Sequence, residues 1–109
     1  MKLAIVGSRS LFVENFDDYI PCTVTEIVSG GAKGIDRQAA EYAKSNHIPL
    51  TEFLPDYARY RRGAPIKRNE QIAQYADEAL AFWDGHSRGT CCTIELFQKL
   101  GKKVTIIHC

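Results

Sequence analysis

The feature that most constrains this chain is a regular alternation of short β-type runs with helical patterns. Five runs predict strands, and the segments between them predict four helical connections. The strands are expected at residues 2–6, 23–28, 49–54, 79–83 and 104–107, and the helices at 13–20, 35–45, 66–76 and 91–100. Such alternation is typical of a parallel sheet with helices on both faces, and right-handed crossovers make it doubly wound. The sequence therefore predicts a Rossmann-like α/β fold of about five mainly parallel strands.

Two strands have special positions in this prediction. Pro49 and Pro55 flank the third run, which indicates an edge strand because proline cannot donate to a sheet ladder. The run ALAFW at 79–83 is continuously apolar, as in a strand that is buried on both faces. The segment 56–65 has no clear period and is predicted to be irregular.

Size and charge limit the function classes. The 109 residues are predicted to form one domain (1–109), and 45% of them are hydrophobic, enough for a core. The formal charge of +1 gives no overall attraction to nucleic acid or an anionic membrane, so neither is expected as a partner. The apolar runs are too short to span a bilayer, and residues 1–6 do not resemble a signal peptide. A cytoplasmic location is expected, with reduced cysteines because no CxxC pair occurs.

Three glycine-containing turns carry the functional prediction. They follow the first, second and fourth strands, at 7–10, 29–34 and 84–90. In a parallel sheet these turns share the carboxyl-terminal edge, where ligands bind near the reversal of strand order. Helix starts at such turns leave backbone amides free for anions, above all phosphate. The alternative is that the glycines only permit tight turns.

Familiar cofactor and metal motifs do not occur. The turns contain neither GxxxxGK[ST] nor GxGxxG, which disfavours ordinary ATPases and dehydrogenases, and no cofactor is expected. A metal site is not expected either, because the spacing of the histidines and cysteines near the C-terminus matches no zinc pattern. These residues are His86, Cys91, Cys92, His108 and Cys109.

A basic segment leads into the predicted third helix and includes its first residues. It runs from Arg59 to Arg68 and contains no acidic residue. Arg68 is placed to clamp a phosphate with two hydrogen bonds, and Asn69 beside it lies on the apolar stripe of the helix. Asp36, at the start of a predicted helix, either holds a ribose hydroxyl or complements the helix dipole.

Several segments together resemble a known family. They are Gly7-Ser8-Arg9, the run from Val28 to Asp36 (VSGGAKGID), Arg68-Asn69, and the run from Phe82 to Thr90 (FWDGHSRGT). This set is similar to the SLOG superfamily, which groups the Smf/DprA and LOG proteins, and within it to the small YspA-like members. The resemblance implies a Rossmann-like fold that binds a nucleotide or nucleotide-derived molecule such as ADP-ribose, as a ligand sensor. It also implies a homodimer.

The resemblance implies ligand contacts from all three turns and from the start of the third helix. They are Gly7, Ser8, Arg9, Ser29, Gly30, Gly31, Ala32, Gly34, Asp36, Arg68, Asn69, Asp84, Gly85, Ser87, Gly89 and Thr90.

The chain departs from the enzymes of this family at one position. LOG-type phosphoribohydrolases carry PGGxGTxxE, and Thr93 stands where that motif has its glutamate. Glu95 is two residues further, about 200° around a helix, so it cannot replace it. If the protein is instead a nucleotide N-glycosidase, Asp36 and Asp84 are the candidate acids or bases, and its catalytic residues are otherwise unknown. Single-stranded DNA binding, as in DprA-like proteins, is a second alternative through the basic segment, where Tyr57 and Tyr60 are candidates for base stacking.

Overall fold

The computed structural model describes residues 1–109 and contains one five-stranded sheet. All strand pairs are parallel, in the order β3-β2-β1-β4-β5. The strands are β1 (Lys2–Gly7), β2 (Glu26–Ser29), β3 (Leu50–Glu52), β4 (Glu78–Trp83) and β5 (Lys103–His108). The prediction of a Rossmann-like α/β fold is confirmed, and the predicted edge strand β3 lies at one edge of the sheet.

Four helices connect the strands. They are α1 (Ile35–Ser45), the single turn α2 (Tyr57–Tyr60), α3 (Ala64–Tyr75) and α4 (Arg88–Lys99), with 3-10 turns at Phe16–Tyr19 and Arg61–Gly63. None of these helices has the length and apolar character needed to cross a membrane.

The core lies on both faces of the sheet, as expected for buried parallel strands. On β1, Leu3 and Ile5 face α1, whereas Ala4 faces α3 and α4. Ala79 and Ala81 of β4 continue this small-residue surface under the two helices. The alternation of large and small side chains along β1 and β4 therefore accommodates one helix on one face and two on the other.

The predicted helix at 13–20 is wrong. Only the 3-10 turn Phe16–Tyr19 forms there, because Asn15 has a left-handed backbone (φ 55°) and Pro21 follows. The backbone of Val13 bonds instead to the side chain of Gln38, through its N–H at 2.8 Å and its carbonyl at 2.9 Å. The Phe16 ring stacks on Phe82 at 5.4 Å and anchors the segment on the sheet.

Element boundaries also differ from those predicted. The second strand begins at Glu26 rather than at residue 23. Helix α3 begins at Ala64, since proline is tolerated in the first helical turn, and α4 begins at Arg88, directly after its capping residue Ser87. The segment 56–65, predicted to be irregular, contains the short turns α2 and Arg61–Gly63.

The strand order places one reversal in the middle of the sheet. The chain runs outward from β1 through β2 to β3, then returns past β1 to form β4 on its other side. At such a reversal the two neighbouring turns leave the sheet in opposite directions and open a crevice. The crevice therefore lies beyond Gly7 of β1 and Trp83 of β4.

One half-buried lysine connects α3 to the segment before β5. The Lys102 ammonium donates to the carbonyl oxygens of Ala73 (2.7 Å), Gln74 (3.0 Å) and Ala76 (2.8 Å), at the end of α3. Carbonyl oxygens at the end of a helix receive no hydrogen bond from an N–H of the same helix, so the ammonium satisfies them. A positive charge there is also favoured by the helix dipole.

We expect Lys102→Met to lower the free energy of unfolding by about 1–3 kcal/mol, because it removes charge-assisted hydrogen bonds. Urea denaturation followed by circular dichroism measures the change. Lys103→Met is the matched control, since Lys103 is exposed and makes no side-chain hydrogen bond. Equal effects of the two variants would contradict this role of Lys102.

Candidate functional site

A cleft of about 410 Å³ lies at the carboxyl-terminal edge of the sheet, at the reversal of strand order. The turns after β1, β2 and β4 line it together with the start of α3. The three predicted glycine turns therefore open into one space, and its size is in the usual range for small-molecule pockets.

Most of the predicted contact residues line this cleft. They are Gly7, Ser8, Arg9, Gly30, Ala32, Asp36, Arg68, Asn69, Asp84, Ser87, Gly89 and Thr90. Ser29, Gly31, Gly34 and Gly85 do not line it. That the lining residues touch a ligand stays a prediction.

Two of the residues outside the lining shape the loop after β2. Ser29 is fully buried, and its hydroxyl accepts from the Gly31 amide at 3.3 Å and donates to the Asp36 carbonyl at 3.5 Å. Gly34 has φ 72°, and a Cβ there would lie 2.4 Å from the Arg9 carbonyl oxygen. The loops after β1 and β2 thus pack backbone against backbone, which requires glycine at position 34.

Five further residues that the motifs did not predict line the cleft. They are Val6, Ser10, Pro65, Ile72 and Thr93. Ile72 lies three residues after Asn69, and Thr93 lies four after Gly89, so each shares a helix face with a predicted residue. Helical spacing from the motif residues would have identified these two.

Ser8 carries the unsatisfied donor of the site. Its side chain is only 3% exposed, and its Oγ is the buried side-chain oxygen or nitrogen that lacks a hydrogen-bond partner. The Ser8 amide donates to the Phe82 carbonyl at 3.3 Å, which fixes the residue between β1 and β4. Leaving a buried hydroxyl unpaired costs free energy, so a group that enters the cleft and bonds to Ser8 recovers that cost.

Asp84 organises the turn that leads into α4. Its Oδ1 accepts from the amides of His86 and Ser87, both at 2.8 Å. These two bonds hold the pKa of Asp84 below its ordinary value. The Ser8 hydroxyl, although it makes no hydrogen bond of normal geometry, lies close enough to lower this pKa a little further. Asp84 is therefore an anion that shapes the turn.

The start of α4 presents free backbone donors to the cleft. Ser87 caps the helix, with its Oγ 3.5 Å from the Thr90 amide that donates to it. The amides of Arg88 and Gly89 have no acceptor within the helix, and Gly89 lines the cleft. Together with the positive end of the helix dipole, these amides favour an anion at this wall.

Trp83 supports this turn from behind. Its indole N–H donates to the Ser87 carbonyl at 3.0 Å, and its ring lies 6.1 Å from that of His108. The indole N–H is therefore engaged in holding the turn.

The opposite wall pairs a buried acid with a partly engaged arginine. Asp36 is 8% exposed, and its Oδ2 accepts from the Ala32 amide at 3.1 Å. Burial raises the pKa of Asp36 above its ordinary value, although the Ala32 bond and the positive charge of Arg68 act in the opposite direction.

Arg68 is held by the protein at two of its three nitrogens. Nη1 donates to the Gly30 carbonyl and Nε to the Asn69 side chain, each at 2.8 Å. A Cβ on Gly30 would lie 2.7 Å from Nη1, so glycine permits this close approach. The two-bond phosphate clamp predicted for Arg68 therefore has only Nη2 free of protein partners, and the arginine also fixes the β2 loop.

None of the four cysteines lines the cleft. All four are free thiols, and burial together with the nearby Glu95 carboxylate raises the pKa of Cys91. A raised pKa leaves less thiolate at neutral pH. No three His, Cys, Asp or Glu side chains cluster as metal ligands.

Comparison with known proteins finds one family model that resembles part of the chain. The family model described as the YspA, cpYpsA-related SLOG family matches residues 13–60. The match supports membership of the SLOG superfamily, among its YspA-like members. The match includes the Gly30–Gly34 loop, Asp36 and α1, but neither the Ser8 turn nor the Asp84 turn. Neither the curated proteins nor the solved structures contain a significant match.

Similarity to the SLOG family suggests a nucleotide-related ligand in general terms. The cleft contains free amides, an unpaired hydroxyl and two arginines, which are hydrogen-bond donors suited to anions.

The raised pKa of Asp36 predicts a pH-dependent stability difference. Because the fold disfavours the ionised form, stability from this group is present below the ordinary Asp value of about 3.9 and is lost as pH rises through the raised pKa. We expect Asp36→Asn to melt at a higher temperature than the wild type at pH 7, and at the same temperature near pH 3. An amide oxygen at this position still accepts from Ala32. Thermal unfolding at both pH values measures the difference.

Asp84→Asn is the control of opposite sign. Its carboxylate is favoured by the fold, so this variant should lose stability at pH 7 and match the wild type at low pH. A lower melting temperature for Asp36→Asn at pH 7 would contradict the burial argument.

Proposed function

We propose that this protein binds a nucleotide or a nucleotide-derived molecule of the ADP-ribose kind in the cleft, and that it acts as a sensor of that ligand. The unpaired Ser8 hydroxyl carries the proposal, because a buried donor without a partner in the cleft wall is accounted for by a ligand oxygen. The free amides at Arg88 and Gly89 supply a neighbouring place for phosphate.

The polar groups on the Asp36 side suit the sugar of such a ligand. Asp36 still has an oxygen, Oδ1, without a protein partner, and a carboxylate accepts well from ribose hydroxyls. The phosphate of the ligand would then lie at the start of α4, where anions are favoured. Its sugar hydroxyls would lie at the start of α1, where they can donate to Asp36.

Binding without turnover is supported by the state of the candidate catalytic groups. Thr93 stands at the glutamate position of the LOG-type motif, and its hydroxyl donates to the Gly89 carbonyl at 3.1 Å. The Oδ1 atom of Asp84 is bonded to two amides of its own turn. A site that holds its ligand unchanged is what a sensor needs.

Gly89→Leu tests the cleft without destabilising the fold. A Cβ at Gly89 meets nothing within 4 Å, and replacing a helical glycine stabilises a helix by about 0.5–1 kcal/mol. We expect this variant to keep or raise the melting temperature of the free protein and to lose the stabilisation that AMP, ADP, ATP or ADP-ribose gives the wild type. A thermal-shift titration measures both quantities.

Gln98→Leu adds the same side chain to the exposed part of the same helix and should keep the ligand response. Wild-type protein that none of these compounds stabilises, or a Gly89→Leu variant that responds normally, would refute the proposal.

A second candidate, a nucleotide N-glycosidase, is favoured by one observation. The two carboxyl groups of the cleft have pKa values displaced in opposite directions, upward for Asp36 and downward for Asp84. Such divergence is typical of acid and base pairs, and glycosidic hydrolysis uses two carboxyl groups.

If this candidate holds, incubation with AMP or NAD releases free base, and Asp36→Asn reduces the rate at least about 100-fold while retaining ligand binding. Chromatography of the products measures the release. Asp18→Asn, at an exposed acid far along the chain from the cleft motifs, should leave the rate unchanged. Absence of free base at high protein concentration would exclude this activity.

A further inference from the structure

The cleft lacks the positive charge that a ligand with several phosphates requires. Its charged lining consists of two arginines, Arg9 and Arg68, and two aspartates, Asp36 and Asp84, so the formal charges cancel. Arg68 is in addition bonded to the β2 loop. A diphosphate carries more than one negative charge. A cleft wall without net charge offsets only part of the free-energy cost of removing these charges from water.

Three arginines lie in the segment that immediately precedes the cleft-lining part of α3. Residues 57–63, which we name the strap, contain Arg59, Arg61 and Arg62, all exposed and without an ion pair. The strap joins α3 at Ala64, and the next residue, Pro65, lines the cleft. The strap is therefore attached directly to the cleft wall.

The strap is loosely held. None of its residues is buried, and none of its side chains forms a hydrogen bond. Its backbone bonds are local: Arg59 and Tyr60 donate to Asp56, Arg61 donates to Tyr57, and the N–H of Ala64 at the start of α3 donates to the Arg61 carbonyl. Segments with few buried contacts and local hydrogen bonds rearrange at low cost.

Its conformation is also strained at one residue. Arg61 has φ 51° and ψ −121°, a backbone region that glycine adopts readily and other residues rarely do. The Arg61 side chain is exposed, so no side-chain packing fixes this conformation. A residue held in this way favours a rearrangement that relieves the strain.

We propose that the strap closes over the cleft when a ligand with two or more phosphates binds, and that its arginines then neutralise the phosphates. This inference rests on the proposed function and extends it, because it assigns the ligand class and a positioning role to the strap. Tyr60, whose ring lies 5.3 Å from the Arg59 guanidinium carbon and 5.8 Å from the Lys67 ammonium, travels with the strap and faces the ligand in the closed state.

Trypsin reports on closure, because it cleaves after arginine. In the free protein we expect rapid cleavage after Arg59, Arg61 or Arg62. ADP-ribose at a saturating concentration should slow this cleavage about tenfold or more, whereas AMP, with one phosphate, should slow it less. Cleavage after Lys103, on β5 and remote from the strap, is the internal control, and mass spectrometry identifies the products.

The outcomes separate the two proposals. Stabilisation by ADP-ribose without slower cleavage in the strap overturns closure and leaves the proposed function standing. Absence of any stabilisation overturns both. Resistance of the strap to trypsin in the free protein also overturns the proposal, because the open strap is exposed.

Arg61→Gly tests the strain independently. Glycine removes the backbone strain at position 61 in the open strap, so the free protein should melt at a higher temperature. Because the open state is then favoured, the concentration of ADP-ribose for half-saturation should rise about fivefold or more. Arg61→Lys, which keeps both charge and strain, should bind as the wild type does. Arg62→Ala, which removes charge alone, should weaken binding without raising the melting temperature. Unchanged ADP-ribose binding by Arg61→Gly would overturn the proposal.

Discussion

The parallel pairing of β1 with β4 is the constraint on which the site depends. This pairing aligns Gly7 with Phe82, so both strands end at the same level and their turns open side by side. Because β2 and β3 lie on one side and β5 on the other, the two turns lead away from each other. The amide of Ser8 bonds across the gap to Phe82, and the Ser8 hydroxyl is then left inside the crevice without a partner. The unsatisfied group is thus a consequence of topology.

Glycines determine how closely the loops approach one another. Gly34 lies against the Arg9 backbone and Gly30 against the Arg68 guanidinium, so the loops after β1 and β2 and the start of α3 form one connected wall. This arrangement gives several motif residues a structural function. Arg68 fixes a loop as well as facing the cleft, and Asp36 accepts from that same loop at Ala32. If a variant of either residue lost binding, the loss could come from a disordered loop or from a missing ligand contact. The Gly89→Leu variant avoids this ambiguity.

The fold and the place of the cleft could be predicted because they follow from periodicity and from turn chemistry. The ALAFW run and the spacing of Ile35, Ala39 and Ala43 identify a buried strand and an amphipathic helix without tertiary information. The segment around Phe16 could not be predicted in this way. Its conformation depends on contacts with Gln38 and Phe82, which are distant in sequence. For the same reason, the motif alone could not show that Arg68 bonds to Gly30 or that Ser29 points away from the cleft.

The charges of the cleft bear on the choice between holding a ligand and cleaving it. A buried Asp36 lowers the stability of the free protein at neutral pH, and nothing in the core requires a carboxylate there, since the Ala32 amide needs only an acceptor. Under the proposed function, the free oxygen of Asp36 accepts a hydrogen bond from the ligand. Hydrolysis would also require a second group free to move a proton. Asp84 is bonded through Oδ1 to two amides of its turn, and Thr93 is bonded within α4. These contacts support the proposal that the site holds its ligand without cleaving it.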